Sequence, residues 1–180
     1  MSRRRILGGL GGIGLAVSLA IVADALAFST APPLVINESA SLPPGLYRRV
    51  SALPRRGDIV AVRPPAAARA YLATLGAPRD QQLLKRVAAL PGDRVCAGAE
   101  GLRWPGGVLA PVAPTDRRGV ALPQWRDCRR LTPDEILVLG DSRSSFDSRY
   151  FGPIPPAAVA GVYVEVLRWR TADSWLWRLP

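Results

Sequence analysis

The rhythm of apolar and polar residues changes sharply along this chain. Ile6 to Phe28 is an apolar run of 23 residues whose only charge is Asp24, and Arg3-Arg4-Arg5 precedes it. As a helix, such a run is ~34 Å long, enough to cross a bilayer, and the arginines put its start in the cytoplasm. Further on, the pattern shortens to that of strands. Gly57 to Arg63 alternates after a turn, Glu135 to Asp141 is a short apolar run ending in turn residues, and Val159 to Arg170 alternates through Val162, Val164 and Val166. One segment has the punctuation of a helix: Ala66 to Leu75, opened by Pro64-Pro65 and closed by Gly76-Ala77-Pro78. The pattern predicts a mainly β domain over residues 29–180 with a small helical insertion, behind a basic stub and transmembrane anchor over residues 1–28. Ala25-Leu26-Ala27 before Phe28 also fits a cleavage site, and five glycines lie in the first half of the run, so a removed signal peptide is the alternative to a retained anchor. Both export the same domain.

Composition narrows this picture. Eighteen prolines and 17 glycines are spread along the whole chain, which favours short strands and many turns over a helical bundle. The net charge of +10 is scattered through strands, turns and loops, without the clustering or aromatic interleaving of a nucleic-acid surface, so no nucleic-acid partner is expected. Cys96 and Cys128 are the only cysteines, and in an oxidising compartment they read as one disulfide closing a loop-rich excursion. Two cysteines without histidine are too few for a usual zinc site, and no EF-hand-like run of carboxylates occurs. No metal or cofactor is expected. Trp169, Trp175 and Trp177 suit a membrane interface and ordinary packing equally well.

Candidate chemistry begins with a single residue. Of 24 basic residues only Lys85 is a lysine, and the chain contains no histidine. An arginine keeps its proton in a protein, whereas a desolvated lysine can become a neutral amine and serve as a base. The alternative is that an arginine-rich composition left one lysine by chance. Lys85 stands in Leu83-Leu84-Lys85-Arg86-Val87, followed by the turn Leu90-Pro91-Gly92-Asp93. On a strand Lys85 and Arg86 point to opposite faces. Two further segments stand out: Asn37-Glu38-Ser39-Ala40-Ser41-Leu42-Pro43-Pro44-Gly45-Leu46-Tyr47, and the small polar stretch Gly140-Asp141-Ser142-Arg143-Ser144-Ser145-Phe146-Asp147-Ser148-Arg149. Singly, they read as a capped turn, a strand edge and a polar loop.

In this order, and with Arg56-Gly57-Asp58-Ile59-Val60 between the first two, these segments resemble the S26 serine peptidases, the type I signal peptidases and their relatives. The resemblance covers roughly Leu34 to Val166. Leu42 after the nucleophile position, a single span, the helical insertion and a cysteine soon after Pro-Gly-Asp look more like the TraF-type conjugal transfer peptidases than a housekeeping signal peptidase. The resemblance implies a signal-peptidase-like β fold, of the type shared by S26 peptidases and LexA. It implies Ser41 as nucleophile and Lys85 as general base, with the Ser41 N–H and the Ser39 hydroxyl forming the oxyanion hole. Ser145 would orient the lysine, and Asp147 and Arg149 would pair to hold their loop; a solvated salt bridge is the alternative for that pair. Ser39 and Ser41 are expected on one side of an extended segment. The expected partners are the inner membrane and a membrane-inserted precursor. That precursor is an exported pilin, matured by hydrolysis or cyclisation, or alternatively the signal-peptide-bearing proteins of a general signal peptidase. The expected location is a single pass through the inner membrane with the catalytic domain in the periplasm. A membrane-anchored domain that binds without catalysis is the reading from outside enzymology.

Overall fold

The computed structural model describes residues 31–169, and those from Pro33 on belong to one compact unit. The expected span over Ile6–Phe28, together with Trp175 and Trp177, lies outside the described residues. Among the described residues, no helix is long and apolar enough to cross a membrane.

The strands in chain order are β1 (Leu34–Asn37), β2 (Gly45–Val50), β3 (Ile59–Val62), β4 (Leu83–Ala89), β5 (Arg94–Gly98), β6 (Gly101–Trp104), β7 (Gly107–Ala110), β8 (Asp127–Arg130), β9 (Leu137–Leu139) and β10 (Val159–Arg168). Among the described residues two α-helical pieces join them, α1 (Ala66–Thr74) after β3 and the single turn α2 (Ser148–Phe151) after β9, and a 3-10 turn over Pro156–Ala158 leads into β10. A six-stranded sheet runs in the order β1-β2-β10-β3-β4-β9, and a four-stranded sheet in the order β7-β6-β5-β8. The paired strands in both sheets are antiparallel.

Strand position follows from residue type. β3 reads Ile-Val-Ala-Val and is buried at every position, as a central strand covered on both faces must be. Val60, Val62, Val87, Ile136, Val138, Ile154 and Val162 form one core cluster of the large sheet. A second cluster joins Ala88, Ala89, Leu137 and Leu139 of β4 and β9 to Val95, Leu102, Ala110 and Leu131 around the smaller sheet. Each fully buried Val or Leu contributes about 1.5–3 kcal/mol, so these two patches fix where β4, the strand carrying Lys85, must lie. The chain leaves β4 through the Leu90-Pro91-Gly92-Asp93 turn. There Asp93 N–H donates to the Leu90 carbonyl at 3.1 Å and Gly92 takes the positive φ of 85° that a type II turn needs after proline.

α1, β3 and β10 fall within about two residues of the predicted segments, and β9 is the core of Glu135–Asp141. The excursion between the cysteines is the larger difference. Beside the loop over 111–126 it holds two whole strands of the smaller sheet, β6 and β7, and β5 and β8, which carry the cysteines, complete that sheet. Cys96 and Cys128 are directly opposed partners of β5 and β8, and they are bonded.

Candidate active site

Three segments far apart in the chain meet at one point. The first is the seven-residue connection from β1 to β2. Asn37, buried at its start, sets its shape: the side-chain amide nitrogen lies 3.0, 2.9 and 3.1 Å from the carbonyl oxygens of Ser39, Leu42 and Pro43. An NH2 group has two protons, so one is shared. Tyr47, fully buried, donates its hydroxyl to the Pro43 carbonyl at 2.7 Å, and buried Leu42 anchors the loop from inside. Ser41, half-buried, is held between these supports.

The second segment is β4. Alternation turns Lys85 inward, where it is 3% exposed, and sends Arg86 the other way. Arg86 there forms a two-pronged pair with Asp141 at 3.0 and 2.9 Å and donates to the Gly57 carbonyl at 2.9 Å. The third segment is the loop from β9 into α2. It delivers Ser145, also 3% exposed.

The Lys85 Nζ lies 2.6 Å from Ser41 Oγ and 3.1 Å from Ser145 Oγ, and the two hydroxyl oxygens are 3.2 Å apart. Among the described residues, no carboxylate bonds to the amine. Burial therefore dominates its titration and brings it down from 10.5 to about 8; the charge of Asp147 works against this shift, that of Arg149 with it, and that of Asp141 against it. With the amine neutral, the triangle closes as a ring. Lys85 donates to Ser145, Ser145 donates to Ser41, and Ser41 can donate to the nitrogen lone pair. With the amine protonated that last bond is impossible, because an ammonium has no lone pair to accept it.

The loops touch without spacing. A Cβ on Gly140 would collide with Ser145 Oγ and sit 2.8 Å from the Ser41 carbonyl oxygen, so only glycine fits between the Ser41 loop and Ser145. The next residue, Asp141, donates its N–H to that same carbonyl at 2.6 Å. Asp147 and Arg149 are 0% and 2% exposed and pair at 2.8 and 3.0 Å, so they are not a solvated bridge. The carboxylate also accepts the N–H groups of Gly140 and Arg149. The guanidinium reaches back to the carbonyls of Arg143 and Ser142. The pair thus laces the loop that carries Ser145.

One expectation is corrected. Ser39 and Ser41 do not lie on an extended segment: residues 39–42 bend and turn, because β1 and β2 are adjacent antiparallel strands and the chain must reverse between them. Ser39 is exposed, and its hydroxyl donates to Asn37 Oδ1 at 2.8 Å. Its single donor is therefore committed to shaping the loop and would have to rotate to reach an oxyanion. The Ser41 N–H has no acceptor among the described residues.

Two supports were missed by the motif reading. Asn37 belongs to the serine segment, yet nothing about its type announces three carbonyl contacts; a lone amide shortly before the Pro43-Pro44 turn is the available signal. Phe146 follows Ser145 and packs tilted against Tyr71 of α1, ring centres 4.6 Å apart, while stacking on Tyr150 at 5.5 Å and meeting Phe151 edge-on at 5.6 Å. The Tyr71 hydroxyl in turn donates to Asp116 at 3.0 Å, inside the disulfide-closed segment. Among the described residues, no cluster of three or more His, Cys, Asp or Glu side chains is arranged to hold a metal ion.

The family model for signal peptidase, peptidase S26, matches residues 10–169. The plasmid transfer protein TraF of Escherichia coli is 35% identical over 146 residues, covering 74% of this chain and 82% of that protein. The conjugal transfer protein TraF of Agrobacterium fabrum (strain C58) is 35% identical over 176 residues, covering 90% of this chain and 95% of that one. A crystal structure of a signal peptidase I from Enterococcus faecalis V583 aligns with 27% identity and a TM-score of 0.35, over 61% of this chain and 95% of the other. With a family model spanning most of its length and TraF relatives matched over most of theirs, the chain belongs to the signal peptidase S26 family.

Proposed function

We propose that this protein is a membrane-anchored serine endopeptidase that matures an exported pilin precursor for conjugative transfer, with Ser41 as nucleophile and Lys85 as general base. One observation carries the reading: a buried amine without an acidic partner, 2.6 Å from a serine hydroxyl. In the first step Ser41 Oγ bonds to the scissile carbonyl carbon while its proton passes to Lys85 Nζ. The tetrahedral intermediate collapses as the C–N bond breaks, and the lysine returns that proton to the leaving amine. Water, deprotonated by the same lysine, then releases the acyl group. If the substrate's own amine attacks instead, the product is cyclic.

The Ser41 N–H is the first donor to the oxyanion in this mechanism, and Ser39 is a second donor only after its hydroxyl leaves Asn37. Ser145 accepts a hydrogen bond from the amine and so aims the lone pair at Ser41. The family supports the peptidase reading. The names of the TraF relatives support conjugal transfer as the setting. The apolar run over Ile6–Phe28 supports an inner-membrane enzyme whose domain, residues 29–180, works in the periplasm close to the membrane.

The test is maturation of a precursor co-expressed with the full chain, read by intact mass. Wild type should shorten the precursor. Ser41→Ala and Lys85→Arg should leave it whole. A product one water lighter than the hydrolysed form indicates cyclisation, and equal cutting of unrelated secreted precursors would favour a general signal peptidase. Full processing by both variants would sink the dyad.

A further inference from the structure

A cleft of about 380 Å³ opens between the end of β4, the start of the loop after β9, and the β6–β7 hairpin. Its inner end is formed by Gly140 and Asp141, the residues packed against and hydrogen-bonded to the Ser41 carbonyl. A peptide seated at Ser41 therefore meets this cleft within a few residues of the reacting bond. Parts of its wall are apolar, from Val87, Leu109 and Leu139.

Four arginines line the cleft: Arg56, Arg86, Arg143 and Arg149. Three of them are spoken for. Arg56 pairs with Asp93 and brackets the cleft by donating to the carbonyls of Ala88 and Pro105; Arg86 pairs with Asp141; Arg149 pairs with Asp147. Arg143 has no acidic partner among the described residues, and it is exposed. Its backbone carbonyl accepts from Arg149 at 2.7 Å, so the main chain at this position is tied down and presents the side chain at the cleft. Asp141 is the one acid in the lining, and both its oxygens are engaged by Arg86.

We infer that this cleft is a subsite for a carboxylate of the substrate peptide, and that Arg143 is the residue that binds it. The inference rests on the peptidase reading for the identity of the ligand as a peptide. A peptide bears anions only as acidic side chains or as its terminal carboxylate, and a guanidinium offers a planar fork that matches either one. The apolar parts of the wall strengthen the attraction only modestly because Arg143 is exposed, and salt weakens it. A charge-assisted bond of this kind is worth about tenfold in affinity.

The experiment uses the full-length Ser41→Ala protein in detergent, which cannot turn the ligand over, and measures binding of dye-labelled hexa-alanine probes. One ends in an amide, one in a free carboxylate, and a third set is amidated with a glutamate at each position in turn. The expected result is about tenfold tighter binding of at least one carboxylate-bearing probe than of the neutral amide. Adding Arg143→Gln, or 0.5 M salt, should bring the two within about twofold, and Arg143→Lys should retain part of the preference. Preference for the free end identifies the terminal carboxylate; preference for one glutamate position identifies a side chain. Equal binding of all probes, or a preference that survives Arg143→Gln, overturns the inference. A failure of the peptidase reading shows elsewhere, as an uncut precursor with the wild-type enzyme.

Discussion

Two buried cations lie on either side of Ser145, and they are treated in opposite ways. Arg149 is given a carboxylate at 2.8 Å, three backbone carbonyls and almost no solvent. Lys85 is given equal burial but only hydroxyls. The first arrangement keeps a charge and spends it on holding a loop. The second makes the charge unfavourable, and the amine titrates at about 8. Burial alone does not create a base. Burial without a counter-ion does, and a group able to lose its proton must stand at that position.

The largest expected effect comes from making the second cation like the first. Lys85→Arg keeps the charge and removes the base, and precursor cleavage should fall about ten-thousand-fold or more, measured by single-turnover rates. Next is the reverse operation, removing the counter-ion from the first. Asp147→Asn leaves Arg149 buried and unpaired, which should cost about 3–5 kcal/mol in denaturant unfolding. It also removes the charge that holds the lysine pKa up, so the remaining activity should persist to lower pH than in wild type. Smaller again is the gift of an acid to the lysine. In wild type the rate should climb with pH and level off above about 8. Ser145→Asp puts a carboxylate beside the amine, and the midpoint of that climb should move up by about 1–3 units. An unmoved midpoint would separate Ser145 from the base altogether.

The smallest effect is on stability. The folded-state pKa of Lys85 lies below its unfolded value, so between about 8 and 10.5 the unfolded chain binds more protons and stability rises with pH. Below about 8 the buried ammonium is a standing penalty of at most about 3 kcal/mol. Lys85→Met should therefore be inactive yet more stable than wild type at pH 6, with the gap narrowing by pH 9. Denaturant midpoints at the two values measure it.

Much of this was legible from residue order. The apolar strands β3 and β9 and the valine-rich β10 announce themselves by composition, α1 by its flanking prolines and glycine, and the serine and lysine by their spaced motifs. The smaller sheet was not. β5 to β8 are four or five residues long, their alternation is weak, and β5 finds β8 only across the long excursion that the disulfide closes. The bend at residues 39–42 was hidden for a related reason. Its geometry comes from the β1–β2 pairing and from Asn37, a partner that no local propensity names. The Asp147–Arg149 pairing follows from proximity in sequence, but its burial depends on the folding of everything around it.

The triangle at Ser41, Lys85 and Ser145 spans sequence separations of 44, 60 and 104 residues. Contacts this distant form late, after the loop-closure entropy between them has been overcome. A partly folded chain thus has a serine and a lysine but no activated nucleophile. Under the proposed mechanism, competence to cut therefore arrives only with the finished sheet, and a chain still folding stays inert toward its neighbours.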